Sequence, residues 1–167
     1  EVHPLGSLEQ RIKPRTSLTS ALRQLPGRRV LLTNSPRAYA CEVVRLLGLR
    51  QLLADIVSIE AMTWAGQVQP KPARQMFRRI VAAQRVLPSQ CILVEDSIAN
   101  LRQANAVGLK GVLVTGFVAG LGAHGSGQQR AGRAISARRI VHRVRKVEQL
   151  PGLLGQLGFK SGRVSRY

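Results

Sequence analysis

The sequence predicts an α/β fold: a Rossmann-like parallel sheet with helices on both faces. Short apolar runs, among them Val30-Leu31-Leu32, Ile92-Leu93-Val94 and Val112-Leu113-Val114, alternate with stretches of helical apolar spacing. The connections between them are short, and strands alternating with helices in this way form parallel sheets. At 167 residues and 44% hydrophobic content, the chain is long and apolar enough to bury the core such a sheet needs.

Residues 1–15 are polar and broken by Pro4, Gly6 and Pro14, and are expected to be an irregular lead-in. Thr16 and Ser17 cap a helix carrying Leu18, Leu22 and Leu25, which Pro26-Gly27 stops. A strand over Arg29–Thr33 follows, ending on a hydroxyl. Ser35 then caps a second helix with Pro36 at its first position and Tyr39, Val43, Leu46 and Leu47 on its buried face; Gly48 ends it. Asp55–Ile59 is the next strand, and Glu60–Gln69 a loop holding the one Trp, Trp64, which either lines a pocket or packs structurally. Pro72 starts a helix that buries Met76, Phe77, Ile80 and Val81 and exposes Arg74, Arg78, Arg79 and Arg85. Cys91–Glu95 reads as a strand buried on both faces. A helix through Leu101, Ala104 and Val107 follows and closes at Gly108, and Gly111–Thr115 is a fourth strand.

This α/β core is expected over residues 16–118. Residues 119–139 are Gly/Arg-rich and flexible by composition. In 140–167, Ile140–Val144 is expected as an edge strand, Glu148–Leu157 as a short helix, and the rest as a basic tail.

Composition removes several classes of function. No apolar run approaches the ~20 residues that span a bilayer, so no membrane role is expected. Cys41 and Cys91 are too few for a disulfide framework and fall in apolar patterns. Free, buried thiols in a reducing, cytoplasmic setting are expected instead. His3, His124 and His142 lack ligand spacing. The net charge of +18 favours anionic partners. It divides evenly, with +9 in residues 1–118 and +9 in residues 119–167. Phe159 and Tyr167 are the only aromatics in the second part, too few for a platform on which single-stranded bases stack. Nucleic-acid binding through the Arg-rich 130–146 stretch stands as the alternative to a small-molecule partner.

Three features fall at equivalent ends of the expected strands: Thr33-Asn34, Lys71 and Glu95-Asp96. Ligands of open α/β sheets bind beyond the carboxyl ends of the strands. Each feature also has a plain structural explanation. Thr33 suits a turn cap, Lys71 a solvated loop, and Glu95-Asp96 a helix start with Ser97 as its cap. Together they make a phosphate site. A hydroxyl and a helix-start amide hold phosphoryl oxygens, a lysine neutralises charge, and paired carboxylates hold Mg²⁺.

In order and spacing, Leu31-Leu32-Thr33-Asn34, Lys71-Pro72 and Leu93-Val94-Glu95-Asp96-Ser97 through Asn100-Leu101 and Gly108 resemble three motifs of the haloacid dehalogenase (HAD) superfamily of phosphohydrolases. The Ile12-Lys13-Pro14 lead-in and the Glu-Asp-Ser-x-x-Asn-Leu form resemble its pyrimidine 5′-nucleotidase branch. The resemblance implies that Thr33 hydrogen-bonds the phosphoryl group and Asn34 shapes its pocket. It implies that Lys71 stabilises the phosphoryl and nucleophile charge, and that Asp96 ligates Mg²⁺ with Glu95 as ligand or supporting partner. The implied substrate is a small phosphorylated metabolite, a pyrimidine nucleoside monophosphate in that branch.

One family element is not in the sequence. The family attacks phosphorus with the first aspartate of Asp-x-Asp-x-Thr, on a strand mid-sheet between those of Thr33 and Asp96. The only aspartates here are Asp55 and Asp96. Most of the family's helical cap is also missing, with residues 1–15 as a remnant. A chain that starts at Glu1 and lacks the nucleophile motif is expected to be a C-terminal piece of a longer protein, inactive by itself. A non-catalytic descendant that binds phosphorylated ligands or nucleic acid is the alternative. A response-regulator-like receiver is excluded because Asp55 has no acidic pair upstream.

Overall fold

A computed structural model describes residues 8–116 and 140–156. The expected flexible 119–139 segment and the basic tail beyond 156 lie outside these residues. The chain forms two compact units, residues 1–70 with 147–167 and residues 71–146. Both are built from parallel strands joined by helices, the α/β Rossmann-type architecture the sequence predicts.

In the first unit, α1 (Leu8–Arg11) gives the lead-in a helical turn, and Leu8 is buried. Helix α2 (Thr16–Gln24) follows, then β1 (Val30–Leu32), α3 (Arg37–Leu46) and β2 (Asp55–Val57), which pairs parallel to β1. Ala40, Val44, Leu49 and Ile56 form the core, with Leu18, Leu22, Leu31, Cys41 and Leu52 packed against it. The expected loop at 60–69 holds a hairpin, β3 (Thr63–Trp64) and β4 (Gln67–Val68). Its two turn residues, Ala65 (φ 50°) and Gly66 (φ 73°), are both left-handed, the twist a two-residue hairpin favours. Helix α6 (Leu150–Gln156) returns to this unit and buries Leu150 and Leu154.

The caps fall one residue from their expected places. Arg15 caps α2 and Ser17 donates its hydroxyl to Glu148 instead. Pro36 caps α3 without a side-chain bond; the helix's first amide, at Arg37, is satisfied by Glu60 from 23 residues away. Gly48 (φ 68°) ends α3 as expected: its N–H bonds to the Arg45 carbonyl, and the N–H of Leu49 reaches back to Val44.

The second unit runs α4 (Arg74–Ala83), β5 (Ile92–Glu95), α5 (Ile98–Val107), β6 (Lys110–Val114) and β7 (Ile140–Val144), with the strands in the order β5-β6-β7, all parallel. Met76, Phe77 and Val81 of α4, Leu101 and Ala104 of α5, and Val112, Leu113 and Val114 of β6 are buried. Arg74, Arg78 and Arg85 are exposed as expected, while Arg79 is half-buried. The α4 helix stops at Ala83, four residues before Leu87-Pro88, by a left-handed Arg85 (φ 55°).

Strand β5 departs from the both-faces-buried expectation. It is the end strand of its sheet, and Val94 (36%) is exposed. The Lys110 amide bonds to the Cys91 carbonyl, so alternation along a parallel ladder turns the backbone groups of Ile92 and Val94 to the edge with no strand partner among the described residues. Strand β1 behaves alike. Thr33 bonds to Val57 across to β2, which turns Val30 and Leu32 to the opposite edge.

Two glycines should answer the same substitution with opposite signs. Gly108 ends α5 at φ 106°, and an added Cβ would meet Pro88 at 3.3 Å. Gly108→Ala should cost about 1–2 kcal/mol. Gly152 lies exposed inside α6 with nothing within 4 Å, so Gly152→Ala should stabilise by up to about 1 kcal/mol. Urea midpoints moving the same way for both would contradict this account.

Candidate functional site

The site residues divide between the units: Thr33 and Asn34 in the first, Lys71, Glu95 and Asp96 in the second.

Thr33 leaves the carboxyl end of β1 with its N–H on Val57. Its Oγ1 accepts the Ser35 amide at 3.1 Å, and a hydroxyl that accepts keeps its own proton to donate. Asn34 is exposed at the tip of this turn. The start of α3, a natural anion seat, already holds an anion: Glu60 takes the Arg37 amide on both oxygens (2.9 and 3.1 Å) and the Ser58 hydroxyl at 2.6 Å. The Ser58 bond, with the Arg37 amide, holds the Glu60 carboxyl below its ordinary range.

In the second unit, Lys71 Nζ lies 2.8 Å from Glu95 Oε2, with 14% and 10% of the two side chains exposed. The other oxygen, Oε1, accepts the amides of Asp96 (3.1 Å) and Ser97 (3.3 Å). Burial by itself would raise the Glu95 carboxyl. Hydrogen bonds from Asp96 and Lys71, the lysine's charge and the Asn100 side chain outweigh it and hold the group at about 2. Asp96 is exposed, and its carboxyl is pushed up by its hydrogen bond to Glu95, by desolvation and by the charge of Glu95. Ser97 caps α5, its Oγ accepting the Asn100 amide at 3.4 Å. The plain reading of Ser97 therefore holds alongside the site.

The cluster does different work for its two acids. Both oxygens of Glu95 are engaged within the protein, so Glu95 positions Lys71. Asp96 is the carboxylate open to a cation. Asn100 belonged to the motif in the sequence, yet its approach to Glu95 from the first turn of α5 emerges only in three dimensions. Among the described residues no group of three or more His, Cys, Asp and Glu could hold a metal. Both cysteines are free and half-buried, and burial raises the Cys91 thiol. No helix among the described residues is long and apolar enough to cross a membrane.

A family model described as a haloacid dehalogenase-like hydrolase matches residues 4–108. No curated protein sequence matches. Among solved structures, the chain is similar to the L-2-haloacid dehalogenase of Xanthobacter autotrophicus (17% identity, 90% of this chain and 64% of that one, TM-score 0.67). It is also similar to a haloacid dehalogenase-like protein of unknown function from Agrobacterium tumefaciens (20% identity, 92% and 65%, TM-score 0.66). A third is the HAD phosphatase of Thermococcus onnurineus (18% identity, 88% and 58%, TM-score 0.57). At these identities the likeness is one of fold, and the chain spans less than two thirds of the length of each.

The two acids titrate with opposite consequences. Glu95, depressed in the fold, contributes stability above its unfolded pKa that is lost as pH falls toward about 2. Asp96, raised in the fold, opposes stability once ionised. Without divalent cations at neutral pH, Asp96→Asn should raise the urea midpoint and Glu95→Gln should lower it. Glu95→Gln should also flatten the loss of stability between about pH 4 and 2. A midpoint lowered by Asp96→Asn would contradict this electrostatic account.

Proposed function

The chain belongs to the haloacid dehalogenase-like hydrolases, and we propose that it serves as a phosphohydrolase of that family, removing phosphate from a small phosphorylated metabolite with Mg²⁺. Its motifs favour a pyrimidine nucleoside monophosphate. The observation that carries the reading is the Lys71–Glu95 pair with Asp96 open beside it at the end of β5.

The donor set suits Mg²⁺, which binds through one or two carboxylates and fills its remaining positions with waters and substrate phosphate. Asp96 would hold it, and a cation there relieves the repulsion that raises the Asp96 carboxyl. When bound, it supplies charge neutralisation on the phosphoryl oxygens. Lys71, oriented by Glu95, presents an ammonium to charge developing on the transferred group. In the first unit, taken by itself, the Thr33 hydroxyl keeps a proton to donate to a phosphoryl oxygen, and Asn34 stands at the same turn.

The attacking carboxylate is not among these residues. Asp55 lies on β2, where its Oδ1 accepts the Ile56 amide at 2.8 Å. We infer that a segment outside these 167 residues supplies the nucleophile, on a strand of its own. The edges of β1 and β5, which have no strand partner among the described residues, support this. The two free cysteines support a reducing, cytoplasmic setting. Some fold relatives are dehalogenases.

Mg²⁺ with inorganic phosphate should raise the melting temperature of the purified chain, and Asp96→Ala should abolish the rise, since a ligand confined to the native state stabilises by mass action. The chain itself should release no phosphate from UMP. A melting temperature indifferent to Mg²⁺ and phosphate would refute the site. Mg²⁺-dependent turnover lost in Asp96→Ala would refute the external nucleophile.

A further inference from the structure

Charge is distributed unevenly between the two units. Residues 71–146 carry fourteen Lys/Arg, eleven of them Arg, against two acids; the rest of the chain carries twelve against six. Those two acids are Glu95 and Asp96, so every charged side chain of the unit away from its site is a cation.

The parallel order β5-β6-β7 places the carboxyl ends of the three strands on one edge of the sheet. Glu95 is in register with Leu113, and Leu113 with Arg143. At ~4.8 Å per strand, the end of β7 lies about 10 Å from the end of β5. Exposed Arg145 and Lys146 follow β7 there. Their backbone is held in place: the Thr115 amide and hydroxyl both donate to the Val144 carbonyl (2.8 and 3.2 Å), and Gly116 sits so close to the Arg145 carbonyl that a Cβ has no room. Past Lys71, α4 adds exposed Arg74, whose Nε donates to Gln103, and Arg78 one turn on.

We propose that this edge of the second unit binds a nucleic-acid strand, its terminal phosphate at Lys71 and Asp96 and its following backbone phosphates at Arg145 and Lys146. The proposal rests on the phosphohydrolase reading of that site and extends its substrate from a mononucleotide to a strand end. A mononucleotide has one phosphate and ends before a second cationic station about 10 Å away. A strand carries a phosphate every ~3.4 Å of axial length in a duplex and reaches it. Guanidinium groups suit phosphate oxygens by their bidentate fork. The contacts are to backbone and therefore tolerant of sequence: Phe77, the one aromatic among the unit's described residues, is 1% exposed and offers no stacking surface. A membrane surface fits less well, since the apolar residues of α4 (Met76, Phe77 and Val81) are buried within the protein.

The test is fluorescence anisotropy of the full chain with a labelled short single strand, with and without a terminal phosphate, in Mg²⁺ across a salt series. The terminal phosphate should tighten binding roughly tenfold, and Asp96→Asn should remove that preference. Arg145→Ala with Lys146→Ala should weaken both strands and make the salt slope shallower by about 1 to 2. No strand binding at low salt overturns the proposal, as does binding indifferent to the terminal phosphate. Equal or tighter binding to phosphatidylserine vesicles overturns it in favour of a membrane surface. Inorganic phosphate with Mg²⁺ is the separate arm. Stabilisation by it without strand binding leaves the phosphohydrolase reading standing and this one fallen; the absence of both removes both.

Discussion

A 2.8 Å contact joins the Lys71 ammonium to the Glu95 carboxylate, with little of either side chain exposed. Desolvating two charges is expensive, and such a pair holds only where its remaining lone pairs and protons are satisfied. Here the amides of Asp96 and Ser97 take the second Glu95 oxygen, so the pair depends on the sharp turn from β5 into α5. That turn also points Asp96 outward and lets Ser97 cap α5. One local backbone path thus fixes a cation, satisfies a buried acid and leaves its neighbour open. The arrangement is strained in one respect: two adjacent carboxylates repel, and Asp96 bears the consequence as a raised pKa. A cation placed beside such a carboxyl would relieve that repulsion.

The open strand edges follow a similar logic. Parallel strands are ordinarily covered on both faces and paired on both edges unless they end a sheet. Strand β5 is apolar enough for the centre of a sheet, yet Val94 is exposed. On β1, Val30 and Leu32 turn their backbone groups to an edge without a partner among the described residues. Sequences that end sheets usually guard them with charge or proline, and neither strand does so within its apolar run. Apolar strands with unguarded edges are written for neighbours on both sides.

Much of this was legible in the sequence because it depends on local pattern. Short apolar runs and period-3.6 spacing placed β1, β2, β5 and β6 and the helices between them within a residue or two, apart from the end of α4. Glycines at Gly48 and Gly108 marked helix ends because few other residues accept a left-handed backbone. What escaped depends on distance or on side chains acting out of type. Nothing near Pro36 signals that Glu60 will satisfy the first amide of α3. Arg85 ends α4 in a conformation usually left to glycine, so no residue type in the sequence marks that stop. The hairpin at 63–68 was read as loop because its strands are two residues each, too short for alternation to register. At the site, the residue types at the strand ends were legible, and whether Glu95 is a ligand or a supporting partner was not. It depends on which oxygens the backbone amides occupy.

The same two acids bear on the charge of the chain. A unit with fourteen cations repels itself, and scattered acids would be the simplest remedy. Instead both of its acids stand at the end of one strand, one spent on Lys71 and the other open. Bulk composition, such as a general preference for arginine, explains an excess of cations. It does not explain why the acids of the other unit spread over α1, α3, β2 and the turns while those of this unit are confined to a single turn. An anionic ligand accounts for both facts, since it is drawn to the cations and tolerates acids only where a metal ion or Lys71 offsets them.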